Sequence, residues 1–415
     1  GKPEGQPFKA VPMLTLKPVM HHLELIVAAN FVEVFLAKEK HEGIVGINYL
    51  EKIQLPNLPS IFGAMLAGAN CIIMGAGIPR AIPGVMDQLA KGEAVELSIN
   101  LIDAEPGQKI STTFDPRQIL GDNVTSLERP TFLAIVSSAP LASMLARKAS
   151  GHVDGFIIES PVAGGHNAPP RGPLELNEAG EPIYGERDIV DLSAMRALGR
   201  PFYLAGGVAS PQGLLDAQAE GAAGIQVGTV FAFCNESGLG ASHKNRVLAR
   251  FVDENAEAPI VRTDPLASPT GFPFKVLPLT KTMAHPESAN ARPRLCDLGY
   301  LRQAYNRGEG KIGYRCPSEP VDQYLKKGGR LEDTKGRLCV CNGLMATVDM
   351  GQTRKDGYRE DPLITSGDGL QGIRQFLKPG ASTYAAADVI AGLLVGQPAG
   401  ASTGDAMKSN EFADA

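Results

Sequence analysis

One stretch of this chain gathers groups able to move protons. Glu159-Ser160-Pro161-Val162-Ala163-Gly164-Gly165-His166-Asn167 follows the apolar run Gly155–Ile158. A histidine titrates near neutral pH, so His166 suits taking a proton from carbon or returning one. The paired glycines let the loop lie close to whatever binds beside it. Further along, Phe202–Ala205 ends in Gly206-Gly207-Val208, and the run from Gly224 ends in Gly228-Thr229. Successive glycine-bearing strand ends suit a phosphate. Backbone N–H groups approach it without a Cβ in the way, a following helix N-terminus adds partial positive charge, and Thr229 adds a hydroxyl. Asn48, closing Gly43–Asn48, offers a donor and an acceptor to the polar edge of a ring. A turn cap explains it equally well. His21, His22, His41, His152, His243 and His285 lack such a setting.

Those groups need strand ends to carry them, and the first 258 residues supply the pattern. Gly43–Leu50, Cys71–Ala76, Val95–Leu101, Thr131–Ser137, Gly155–Glu159, Phe202–Ala205 and Gly224–Gly228 read as strands. Leu58–Ala67, Ile82–Lys91, Pro140–Ser150, Leu192–Ala197 and Pro211–Glu220 read as the helices between them. Alternation of this kind predicts a parallel sheet, and runs as apolar as CIIMGAG and GFIIES predict burial on both faces. The fold class is therefore α/β, a TIM-type (β/α)8 barrel, with an open doubly wound sheet as the alternative on pattern alone. An eighth strand must come from Ala10–Leu16 or lie upstream. Gly75-Ala76-Gly77-Ile78-Pro79 lacks the third glycine of a dinucleotide fingerprint and reads as a strand-end turn. No Walker A or HExxH motif occurs.

From about residue 259 the alternation stops. Residues 259–397 form a loop-rich, cysteine-containing C-terminal region, and 398–415 a small, polar tail expected to fray. Cys296, Cys316, Cys339 and Cys341 fall in that region. They could form a four-thiolate site for zinc or an iron–sulfur cluster, although the usual C-x-x-C pairs are absent. The alternative is reduced thiols packed as small hydrophobes.

The whole-chain properties exclude several classes. A net charge of −5 over 415 residues implies no basic face for nucleic acid. No run of eighteen apolar residues is present, so no membrane span is expected; Glu24–Leu36 and Val389–Val395 are interrupted or short. The chain opens without a signal-peptide core, and six cysteines are too few for a disulfide scaffold, so a cytoplasmic setting is expected.

Taken together the motifs resemble the nitronate monooxygenase family, which includes the flavin-dependent type II enoyl-ACP reductases. The resemblance rests on AGGH at Ala163–His166, AGGV at Ala205–Val208, and GIQVGTVF at Gly224–Phe231 followed by Glu236-Ser237. It extends to Ala29–Glu39 and Gly46–Ala69. It implies an FMN-binding barrel acting on a small molecule, with oligomerisation open. The phosphate would lie on Gly206, Gly207, Gly228 and Thr229 with Gln226 nearby, and the ring near Asn48, Glu159 and Gly165. His166 matches the family's catalytic histidine. The implied reaction is oxidation of small nitronates or nitroalkanes. The alternatives are enoyl reduction with NAD(P)H as electron donor and a flavin-free partner subunit. The family's opening strand and Gly/Met-rich loop do not show in this sequence, which puts FMN affinity in question if they are lost rather than upstream.

Overall fold

The computed structural model describes residues 6–7, 11–252, 257 and 259–396. Along its first part run β1 (Gly46–Leu50), β2 (Cys71–Gly75), β3 (Val95–Ile99), β4 (Leu101–Ile102), β5 (Ile110–Phe114), β6 (Thr131–Val136), β7 (Gly155–Glu159), β8 (Phe202–Ala205) and β9 (Gly224–Gln226). Six of these, β1-β2-β6-β7-β8-β9, lie side by side in that order, each parallel to the next. The order never turns back. A doubly wound sheet reverses at a switch point, so that alternative is removed. The sheet is a half-barrel, six strands wide, with β1 and β9 as its edges. The closed eight-stranded cylinder is not formed among the described residues.

Two expected strands need correction. Val95–Leu101 is not in the barrel wall: β3 folds back on β5 as an antiparallel pair. Its residues alternate, with Val95, Leu97 and Ile99 buried and Glu96 and Ser98 exposed. A strand with one polar face cannot sit in a sheet covered on both sides. It packs instead against the helix Asn57–Leu66, where the Phe62 and Phe114 rings lie 5.2 Å apart. The other is Ala10–Leu16. Ala10 lies outside the described residues, and residues 11–16 form no strand. There the N–H of Leu16 donates to the Tyr314 hydroxyl at 2.9 Å.

The sheet has two apolar faces because successive side chains point oppositely. Ile72, Met74, Phe132, Ala134, Phe156, Ile158 and Phe202 face the helices on the outside. Cys71, Leu133, Ile157 and Ala205 share the other face with Ile73, Ile135 and Tyr203. Glu159 continues the Ile157 side at the C-terminal end of β7, which brings a carboxyl to the rim.

An apolar helix, Met20–Ala37, lies on Asn57–Leu66 through Leu23, Val27 and Val34. Gly63 permits this approach: a Cβ there would sit 2.4 Å from the Val27 carbonyl oxygen. The opposite face exposes Leu25, Val32, Phe35 and Leu36. By length and composition this helix could cross a membrane, where the sequence reading expects no span.

The later part of the chain adds β10 (Arg262–Asp264), β11 (Phe274–Val276), β12 (Gln303–Asn306) and β13 (Ile312–Arg315). It is tied to the first part by strand pairing and by a shared core. β12 runs parallel to β4. A common core joins Val230, Phe233, Val247 and Leu248 to Ile364, Leu370, Ile373 and Tyr384. A buried polar network stiffens the region: Arg292 pairs with Glu360, and Arg354 reaches Glu360 at 3.2 Å and Asp297 at 2.7 Å. With partners on several sides, these charges escape the cost of lone burial. The expected tail, 398–415, lies outside the described residues.

Candidate functional site

The C-terminal ends of β7, β8 and β9 open into a cavity of about 550 Å³, within the range of small-molecule and cofactor pockets. Glu159, Gly165, Gly206, Gly207, Gln226, Gly228 and Thr229 all line it. These residues are far apart in sequence, and the parallel order of the strands brings their ends together. Asn48 is not among them. It sits exposed on edge strand β1, three strands removed from β7 in the half-barrel.

The glycines differ in what they do. Gly206 has φ +93°, and a Cβ there would lie 2.4 Å from the Ser160 Oγ and 2.8 Å from the Ala163 N. It serves the turn and the close approach of two loops. A Cβ on Gly228 would meet nothing within 4 Å, and its φ is −112°. Nothing in the fold demands glycine at 228, so the space it leaves belongs to the cavity.

Sequence reading missed the far wall. Thr365, Ser366, Gly367, Gly369, Gly372 and Gln375 close the cavity from the C-terminal region. Gly164 makes that approach possible, since a Cβ there would lie 2.8 Å from the Gly367 N. The Gly165 N–H donates to Thr365 Oγ1 at 2.9 Å, and the Gly367 N–H donates to Thr229 Oγ1 at 2.9 Å. Thr229 thus spends an acceptor position on the protein and keeps its hydroxyl hydrogen for another partner. The run Thr365-Ser366-Gly367-Asp368-Gly369, small and glycine-rich, was the available signal.

His166 stands behind this wall. The segment 165–167 pairs with 273–275: the Asn167 N–H donates to the Pro273 carbonyl, and the Lys275 N–H to the Gly165 carbonyl, both at 2.9 Å. The imidazole meets the Phe274 ring edge-on at 4.6 Å, and its Nε2 lies 2.7 Å from the Ser268 Oγ. Ser268 in turn bonds Thr270 Oγ1 at 2.8 Å. Burial lowers the His166 pKa to about 4, so the ring is neutral at physiological pH. His166 does not itself line the cavity; its neighbour Gly165 does. Lys275, 2% exposed, reaches Thr263 Oγ1 at 2.6 Å and Asp368 at 2.8 Å, locking β11 to the far wall.

Burial also raises Glu159, to about 8. The carboxyl is therefore protonated at neutral pH and can donate a hydrogen bond into the cavity. The folded state holds a proton that the unfolded state releases near its ordinary value of 4.5. Its contribution to stability is complete below that value and is lost as pH rises to about 8. Glu159→Gln, which keeps a neutral donor, should thus gain thermal stability over the wild type at pH 8 and little at pH 5. Melting curves at the two pH values check this, and equal differences at both would place the carboxyl's proton elsewhere.

Residues 78–257 match the family model described as nitronate monooxygenase. That segment of the chain is similar to the nitronate monooxygenase family. The segment contains AGGH, AGGV and GIQVGTVF, the motifs on which the resemblance rests, while Asn48 lies ahead of it. No curated protein matches the chain. Two solved structures are similar at low level. One is a mutant of FabK from Thermotoga maritima, 14% identical, covering 90% of this chain and 86% of that one, with a TM-score of 0.44. The other is the enoyl reductase domain of MlnA from the macrolactin biosynthesis cluster of Bacillus amyloliquefaciens, 10% identical, covering 91% and 87%, with a TM-score of 0.46.

Proposed function

We propose that this nitronate monooxygenase-like chain is an FMN-dependent oxidoreductase that oxidises small nitronates or nitroalkanes. The observation that carries the reading is the convergence of the two glycine strand ends and the Ala163–Gly165 loop on one cavity of about 550 Å³. The residues present fit the cofactor. Gly206, Gly207 and Gly228 leave backbone exposed for a phosphate, Thr229 retains a hydroxyl hydrogen, and Glu159 and Gly165 border the space for a ring. When bound, the flavin supplies the electron transfer that no side chain of this site can perform.

The protein's own part concerns the proton. With Nε2–H donating to Ser268, His166 Nδ1 keeps its lone pair for the proton on the carbon beside a nitro group, which must reach it past Gly165 because the ring stands behind the cavity wall. A low pKa makes the resting ring a weak base. Negative charge building on the nitro oxygens favours the imidazolium and raises that pKa as the transfer proceeds. Ser268 acts through the ring as a positioning residue. Ser268→Ala should lower kcat about 10-fold, roughly 1.4 kcal/mol in the barrier, with little change in KM or flavin content. Ser268→Thr should restore most of the rate. A loss of flavin, or equal loss in both variants, would reduce Ser268 to a packing role.

The proposal is tested by an absorption spectrum of the purified protein followed by anaerobic titration. Flavin bands that bleach with a nitronate and persist with NADPH support it. Bleaching by NADPH with no response to nitronates replaces it with the enoyl reductase reading. A colourless protein that FMN cannot reconstitute replaces both with a flavin-free partner subunit.

A further inference from the structure

The connection from β7 to β8 leaves part of the sheet uncovered. A parallel crossover normally lays a helix over its strands. Here the helix, Leu192–Arg196, has five residues, and residues 160–191 make a long excursion that carries the 3-10 turn Glu186–Asp188. Loops of such length in a compact fold are usually functional. This one arches over a second cavity, of about 800 Å³, at the C-terminal ends of β7 and β8. Ile158 and Leu204, from the helix side of the sheet, line it and are absent from the first cavity. The two cavities share Val162, Gly206 and Val208 as a dividing wall.

The second cavity is acidic. Glu181, Glu186, Asp188 and Asp368 line it against one cation, Lys275. Lys275 is fully engaged, with Nζ 2.6 Å from Thr263 Oγ1 and 2.8 Å from Asp368. Glu181 accepts the Thr263 N–H at 2.7 Å, and Asp188 accepts the N–H groups of Arg171 and Gly185 at 2.9 Å. Those bonds fix the two carboxylates without neutralising them. The Arg171 guanidinium turns to the Ser137 carbonyl and does not line the cavity. Tyr184 stands in the resulting field: burial, then the charges of Asp188, Glu159 and Asp368, push its phenol up to about 12. Its hydroxyl is tied back to the Ala168 carbonyl at 3.0 Å.

This lining selects its occupant by charge. With Asp368 matched by Lys275, three carboxylates are left around an apolar floor, which repels phosphates and carboxylates and attracts cations. A metal ion does not fit. Among the described residues no three Cys, His, Asp or Glu side chains are placed to hold one, neither these carboxylates nor Cys296, Cys316, Cys339 and Cys341. Dispersed negative charge beside an aromatic ring suits a bulky, weakly hydrated cation that brings its own apolar body.

We propose that the second cavity binds a small organic cation, an alkyl- or arylammonium whose nitrogen lies among Tyr184, Glu186 and Asp188 and whose apolar body lies on Ile158 and Leu204. The inference does not rest on the FMN reading, since Tyr184, Glu186 and Asp188 do not line the first cavity.

The test is calorimetric titration of the full chain, at low ionic strength, with hexyltrimethylammonium, 1-hexanol and hexanoate. The cation should bind about 10-fold tighter than the alcohol or better, and hexanoate weaker than both. Salt should erode that preference. Glu186→Gln/Asp188→Asn should weaken the cation about 5-fold and leave 1-hexanol unchanged. Tyr184→Leu, which keeps an apolar side chain, should weaken it by about the same factor. Glu309→Gln, at an exposed site outside the cavity, should bind as the wild type does, which separates the cavity from general attraction to an acidic chain. Melting curves show whether each variant is folded. If the double variant or Tyr184→Leu is not, Glu186→Gln alone, at an exposed position, is read instead and should weaken the cation about 2-fold. A cation that binds no tighter than 1-hexanol overturns the inference. So does cation binding unchanged in the cavity variants, or lowered equally by Glu309→Gln.

Discussion

Gly228→Val is expected to give a folded protein that has lost its flavin. A Cβ at this position meets no protein atom within 4 Å, and its backbone lies at φ −112°, a region open to L residues. The substitution therefore costs the fold little. The isopropyl group would instead stand in the cavity at the end of β9, where Gly228 and Thr229 face Gly206 and Gly207. Displacing a phosphate from its N–H donors removes charge-assisted bonds worth roughly 1.5–3 kcal/mol each. Losing two of them weakens FMN binding by about 10²-fold or more. The check is flavin absorbance per chain after gel filtration, with a melting curve to show that the fold is intact. Full flavin occupancy in the variant would move the phosphate away from this corner. The same substitution at Gly206 would not be informative, because a Cβ there collides with Ser160 and Ala163 whatever the cavity holds.

His166→Ala is expected to cut turnover by about 10²-fold or more while leaving flavin bound, the usual size of a general acid–base contribution. The two readouts separate because His166 does not line the cavity that Gly165 borders. Its removal leaves Ser268 paired with Thr270 at 2.8 Å, so the wall keeps a hydrogen-bonded partner. The substitution also removes a stability term. Because burial holds the ring neutral down to about pH 4, the folded wild type gains stability that is complete above the ordinary histidine value of 6.5 and is lost as pH falls toward 4. The variant should therefore melt closer to the wild type at pH 5 than at pH 7.5. Unchanged turnover on nitronates would take His166 out of the mechanism.

Six of the seven strands read from the sequence lie in the half-barrel, and four of them, β2, β6, β7 and β8, are short runs of almost wholly apolar residues. The seventh, Val95–Leu101, carried its own correction in the Val-Glu-Leu-Ser-Ile alternation, which fits a strand with one wet face. Asn48 was misplaced for a different reason. Its residue type suited a ring edge, but strand order puts β1 at the far edge of the sheet. Residue type does not reveal how many strands separate two rims.

The sequence by itself determined the near wall of the cavity. A strand end and the turn after it are local features, so Gly206, Gly207, Gly228 and Thr229 could be named from glycine content, while Glu159, Gly165 and Gln226 came from the family resemblance of the motifs around them. Only the tertiary structure decided the far wall, the partner of His166 and the gathering of the four cysteines. Thr365, Ser366, Gly367, Gly369 and Gly372 reach the cavity, Ser268 reaches the imidazole, and Cys296 and Cys341 line one small cavity through contacts between segments that no local periodicity links. Those contacts follow from burying a core shared by the first part and the C-terminal region, and burial is a property of the folded surface rather than of any one stretch of chain.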